Sequence, residues 1–145
     1  MPLAIAVVGY GVAGATAALL LADQGHAVTL FEQAPKVESV GAGVMLQPSG
    51  QWVLGQLGLL GAATRRAEPL ERILALTHRR ARLVELCYQD LAPGCHAYGL
   101  HRGDLFTVLA EAVAALPITV LLGCRVACLR EGGASLLTDG GGGRH

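Results

Sequence analysis

The chain has 145 residues, about the length of one domain, with 52% of them hydrophobic and 15% charged. Its 11 basic residues balance 11 acidic ones. Composition therefore gives no reason to expect binding to nucleic acid or to an anionic membrane surface.

Residues 3–22, LAIAVVGYGVAGATAALLLA, carry no charge and reach the length of a membrane span. No basic residue separates Met1 from this run, as one would in a signal peptide. Three glycines interrupt it and Asp23 follows directly. The expectation is a buried strand turning into a buried helix, in a cytoplasmic protein. LAIAVV (3–8) is apolar on both faces, as a strand inside a parallel sheet reads. Gly9-Tyr10-Gly11-Val12-Ala13-Gly14 follows as a turn, and ATAALLLADQ is rich in helix formers. Gly25 stands where a C-cap glycine belongs, and AVTLF (27–31) reads as a second buried strand ending at Glu32. The order is that of a βαβ unit.

In a chain with 20 glycines, a bare GxGxxG is a weak signal. Its place at a strand-to-helix junction, with an acid closing the next strand, makes it specific. Gly9 permits the tight turn, Gly11 lets a pyrophosphate approach, and Gly14 lets the helix lie close on the strand. The first amides of the helix, at Val12 and Ala13, then face phosphate oxygens. Glu32 accepts ribose hydroxyls and repels a 2′-phosphate, which disfavours NADP here. The fingerprint fits NAD and FAD alike.

Ser39 to Gly43 is a small-residue loop, and Pro48-Ser49-Gly50 opens a helix carrying Trp52, Leu54, Leu57 and Leu60, with Ser49 able to cap it. ERILALT (71–77) and ARLVELCY (81–88) read as a hairpin, whose Arg79, Arg80 and Arg82 belong to a solvated turn rather than an anion site. LHRGDLF places Arg102 at the start of a helix favoured electrostatically by Asp104, and His101 beside it reads as structural. ITVLL (118–122) is expected as a parallel strand, followed by a hairpin of CRVACLRE and ASLLTD around Gly132-Gly133. Cys87, Cys95, Cys124 and Cys128 show no recognised metal spacing. They are expected as free, mostly buried thiols in a reducing compartment, and no metal is expected.

On the glycine fingerprint with Glu32, on VGAGVMLQPSG (40–50) leading into LGQLGLL (54–60), and on LHRGDLFTVL (100–109), the chain resembles the FAD-dependent aromatic-ring monooxygenases. These are the para-hydroxybenzoate hydroxylase type with its ubiquinone-pathway relatives, and the resemblance covers nearly the whole chain. It implies an α/β fold, with residues 1–145 as the N-terminal part of a Rossmann-like FAD-binding domain. About 71–98 would start the antiparallel sheet that covers substrate. It implies FAD, held by Gly9, Gly11, Val12, Ala13, Gly14, Glu32, Gln33, Gly43, Val44 and Arg102. Gly43 and Val44 would lie beside the flavin, and Arg102 against its phosphate and ribityl chain. NAD(P)H and a small aromatic substrate are the implied partners of the complete enzyme. Ser49 stands where the family usually has asparagine. The family's later Asp-Gly and Gly-Asp segments are missing, and Asp139-Gly140 belongs to the hairpin before the first of them. The fold is therefore expected to be incomplete, and no residue is singled out as catalytic. A non-catalytic nucleotide-binding fragment and an NAD-dependent oxidoreductase remain as alternatives.

Overall fold

In the computed structural model of the chain, residues 1–37, 41–130 and 135–139 are described. The elements run β1 (Ala4–Val8), α1 (Val12–Asp23), β2 (Ala27–Phe31), β3 (Gly43–Leu46), α2 (Pro48–Gln56), α3 (Leu60–Thr64) and β4 (Glu68–Leu70). They continue with β5 (Arg72–Leu76), β6 (Arg82–Cys87), a 3-10 turn (Tyr88–Asp90), β7 (Ala97–His101), α4 (Arg102–Ala114), β8 (Thr119–Leu121), β9 (Arg125–Arg130) and β10 (Ser135–Asp139). The chain divides into two compact units, Met1–Ser39 with Phe106–His145, and Val40–Leu105.

The first unit is the expected βαβ unit extended by one strand. Its parallel sheet has the order β1-β2-β8, in register from Ala4 opposite Ala27 to Val8 opposite Phe31, and from Thr29 opposite Thr119. The central strand buries Val28, Leu30 and Phe31; α1 contributes Ala15, Ala18 and Leu19, and α4 contributes Phe106, Leu109 and Val113. Burial of residues 3–8 on both faces is the expectation, but β1 alternates half-buried with exposed positions, and Val8 is 59% exposed. The reason is position: β1 is an edge strand, and α1 leans mainly on β2. The helix ends as Gly25 foretells. Gly25 takes φ +82° and donates to the Ala22 carbonyl at 2.9 Å, while His26 donates to that of Leu21 at 3.1 Å. This is a Schellman closure. β9 and β10 pair antiparallel with a bulge at Leu137/Thr138. The expected Gly132-Gly133 turn, the loop residues 38–40 and the segment after Asp139 lie outside the described residues.

In the second unit, β7 is the centre of an antiparallel sheet, β3-β7-β4. Neither β4 nor β7 is legible beforehand: β4 is a Glu-Pro-Leu tripeptide and β7 contains Gly99 and His101. Pro69 is tolerated because β4 is an edge strand. Ser49 does not cap α2. Gln47 occupies the N-cap without a side-chain hydrogen bond, and Pro48 takes the first turn, where its missing N–H costs nothing. The single helix expected through Leu60 is two, because Gly58 at φ +69° closes α2, with Gly58 donating to Gly55 and Leu59 to Leu54. The β5–β6 hairpin forms as expected around residues 78–81, with Arg80 in the left-handed region at φ 61°. Arg82 pairs with Glu85 at the surface, a contact of small energetic weight. One face of this ribbon, set by the register, is wholly apolar: Ile73, Ala75, Val84 and Leu86.

Tyr88 is the largest fully buried side chain among the described residues. Its hydroxyl donates to Gln47 Oε1 at 2.7 Å, and Gln51 Nε2 donates to the His96 carbonyl at 2.7 Å. These bonds tie the β3–α2 corner to the segment before β7. Tyr88→Phe is expected to cost about 1 kcal/mol, because it removes the hydrogen bond between the buried Tyr88 phenol and Gln47 Oε1. A fall in the thermal midpoint with unchanged circular dichroism would show it.

Candidate functional site

The corner between β1 and α1 is shaped by backbone alone. Gly9 sits at φ +98°, where a side chain is disfavoured, and donates to the Phe31 carbonyl at 2.7 Å. That bond ties the end of β1 to the end of β2. Gly11 is the N-cap of α1 and offers no side chain to the helix. The first intrahelical bond runs from Ala15 to the Gly11 carbonyl at 2.9 Å. The N–H groups of Val12, Ala13 and Gly14 precede it and have no acceptor within the helix. An anion is the natural partner, favoured by the helix dipole by about 0.3–1 kcal/mol per charge.

The glycines of the corner differ in their surroundings. A Cβ built on Gly11 meets nothing within 4 Å, so there is open space for a ligand to use. A Cβ on Gly14 would overlap the Gly9 carbonyl oxygen and lie 3.6 Å from Val7. Gly14 therefore sets how closely helix and strand approach. Tyr10, between them, turns inward and is nearly buried. It meets Phe106 edge to face at 5.5 Å between ring centroids, and burial raises its phenol pKa.

Glu32 stands at the mouth of this corner. Its Oε2 accepts the Tyr10 amide at 2.7 Å and its Oε1 the Ala34 amide at 2.8 Å. The Ala34 and then the Tyr10 bond hold its carboxyl below the usual 4.5, with the Gln33 amide adding to them and burial opposing. A carboxylate has about four acceptor directions. Backbone amides take at least two of these, so Glu32 braces the corner and keeps some acceptor capacity toward the cleft. Because the folded state holds this proton less readily than the unfolded chain, the stabilisation is complete above the ordinary value. It fades as pH falls through the lowered one. The gap in thermal midpoint between the parent and Glu32→Gln is expected to be constant near neutrality and to close on acidification below the ordinary value of 4.5.

A cleft of about 240 Å³ opens at the carboxyl ends of the parallel strands, lined by Val8 and Gly9, by Phe31, Glu32 and Gln33, and by Cys124, Arg125 and Val126. Ligands of open α/β sheets bind at this edge. The last group is held there by backbone bonds. Glu32 donates to Leu121 at 2.9 Å, Gly123 to Ala34 at 2.9 Å, and Cys124 to Glu32 at 2.8 Å, with Gly123 turning at φ +65°. From the sequence, Cys124 and Arg125 read only as part of a hairpin. The usable signal is ITVLL itself: a third parallel strand delivers its following loop to the same edge as the first two.

In the second unit, Gly43 and Val44 open β3, opposite His101 and Leu100 of β7. Arg102 is the first residue of α4 and donates its amide to the Ala42 carbonyl at 3.3 Å. Asp104 lies in the same first turn. The thiols of Cys87, Cys95 and Cys124 are free, but half-buried rather than buried. They lie near chain turns rather than in the core. Among the described residues no three His, Cys, Asp or Glu side chains converge on a metal site, and no helix is long and apolar enough to cross a membrane.

Residues 3–138 match the family described as FAD binding domain. The chain belongs to this family. FAD is accordingly its cofactor, and the open space at Gly11 and the bare amides after it fit a dinucleotide. The chain is 37% identical over 135 residues to 3-amino-4-hydroxybenzoate 2-monooxygenase of Streptomyces cremeus, covering 83% of this chain and 32% of that protein. It is 36% identical over 121 residues to salicylate hydroxylase of Pseudomonas putida, covering 77% and 28%. This FAD-binding chain thus spans about a third of the length of the curated relatives it matches. Its fold is shared by p-nitrophenol 4-monooxygenase from Pseudomonas putida DLL-E4, with TM-score 0.80 and 21% identity, covering 100% of this chain and 39% of that one. It is shared as well by CtdE in complex with FAD, with TM-score 0.71 and 23% identity, covering 96% and 35%.

Proposed function

We propose that this chain is the FAD-binding, N-terminal portion of a flavin-dependent monooxygenase that hydroxylates an aromatic or related ring with NAD(P)H and O2. The observation that carries the reading is Glu32, anchored at 2.7 Å to the amide of Tyr10 inside the glycine corner. That bond supports the reading because it keeps a carboxylate close to the first amides of α1. The amides of Val12, Ala13 and Gly14 bind the diphosphate, Gly9 sets the turn, and Gly11 admits the phosphate oxygens. Glu32 holds the ribose hydroxyls, and Gln33 and Arg125 border the adenosine. In the second unit, Gly43, Val44 and Arg102 are assigned to the flavin end, where a guanidinium fork suits phosphate oxygens. The ribbon within about 71–98 is assigned to the start of a substrate-covering sheet. When bound, FAD supplies electron transfer from NAD(P)H and the activation of oxygen. The protein groups bind and orient it. Free thiols in a chain of this kind support a cytoplasmic setting.

The test is titration of the purified chain with FAD and, separately, NAD, followed by flavin fluorescence and calorimetry. FAD is expected to bind more tightly. Tighter binding of NAD, or binding of neither, overturns the reading. A second reading is that this stretch alone binds the nucleotide without turnover, and its span of about a third of its relatives supports it. Bound flavin with no substrate-dependent NAD(P)H oxidation distinguishes it.

A further inference from the structure

We infer that Gly41 is a positioning residue for Arg102, and that the room left by its missing side chain is the seat of the Arg102 guanidinium. A Cβ built on Gly41 would overlap Nε, Cζ and Nη2 of Arg102 all at once. Gly41 also takes φ +140°, a conformation that L side chains rarely adopt. The backbone closes the same contact from the other side, where the Arg102 amide donates to the Ala42 carbonyl at 3.3 Å. Arg102 is exposed overall, and a long side chain in that setting ordinarily samples many rotamers. Here the guanidinium rests against the bare backbone of Gly41, a contact that narrows the directions open to it before a ligand arrives. Preorganisation of this sort raises affinity by removing an ordering cost at the moment of binding. Gly43 differs, since its Cβ would make only ordinary contact, 3.7 Å from the Leu100 carbonyl.

The inference deepens the reading of Arg102 as a contact of the flavin phosphate and rests on it for its functional consequence. Two measurements separate them. The first needs no FAD: NMR relaxation of the Arg102 Nε–H group in the full chain. A rigid side chain is expected in the parent and a mobile one in Gly41→Ala, with Gly61→Ala, whose methyl would meet nothing within 4 Å, unchanged. A mobile Arg102 in the parent overturns the inference even if Gly41→Ala does not fold. The second is a double-mutant cycle on FAD affinity. Arg102→Ala and Gly41→Ala are each expected to weaken binding about 30-fold, and the double variant no more than either. Additive losses overturn the positioning role. A rigid Arg102 whose removal leaves FAD affinity unchanged overturns the phosphate assignment while keeping the seat.

Discussion

Glu32→Ala is expected to weaken FAD binding about 100-fold, corresponding to about 3 kcal/mol. Two losses combine. On the proposed reading the ribose hydroxyls lose a charged acceptor; the Tyr10 and Ala34 amides lose theirs as well, so the glycine corner is no longer braced. Glu32→Gln separates the contributions. Its amide oxygen still accepts one backbone N–H, but its NH2 group faces the other as donor against donor. A loss of about 10-fold is expected for it. Titration by flavin fluorescence measures both. An affinity for FAD unchanged in Glu32→Ala would remove the sugar from this carboxylate and leave it a purely structural brace.

Gly14→Ala and Gly11→Ala are expected to fail in opposite ways, although both glycines belong to one motif. At position 14 the new methyl overlaps the carbonyl oxygen of Gly9, and a backbone atom cannot rotate aside. Overpacking of this kind costs about 3 kcal/mol, while alanine returns about 1 kcal/mol of helix propensity. The ligand-free thermal midpoint should fall by about 6 °C. At position 11 the backbone is extended, with φ −98° and ψ −171°, and nothing lies within 4 Å of the added atom. The ligand-free midpoint should hold, while FAD affinity drops by at least about 10-fold, because the methyl stands where the phosphate approaches. Thermal scans with and without FAD read both variants. Equal ligand-free midpoints for Gly14→Ala and the parent, or undiminished FAD affinity in Gly11→Ala, would contradict the division of labour.

Local order is written plainly in the residues. Hydrophobic runs bounded by glycine, with one acid after AVTLF, suffice to place β1, α1 and β2 and to name Gly9, Gly11, Gly14 and Glu32, because each depends on neighbours within one βαβ unit. The same holds for the Gly25 helix stop and the β5–β6 turn, where backbone geometry is demanded within a few residues. What pairing across the chain decides is not legible. Glu68–Leu70 and Ala97–His101 are strands only because each finds a partner far away in sequence, and β1 is half exposed because, among the described residues, it pairs on one side alone. Arg125 reaches the Glu32 cleft through hydrogen bonds between segments some 90 residues apart, and Gly41 meets Arg102 where the Arg102 amide bonds to the Ala42 carbonyl. The sequence alone thus determined the glycine corner between β1 and α1, whose forces are short-range. Which side chains gather around it was decided by tertiary structure, since those contacts depend on the closure of long loops.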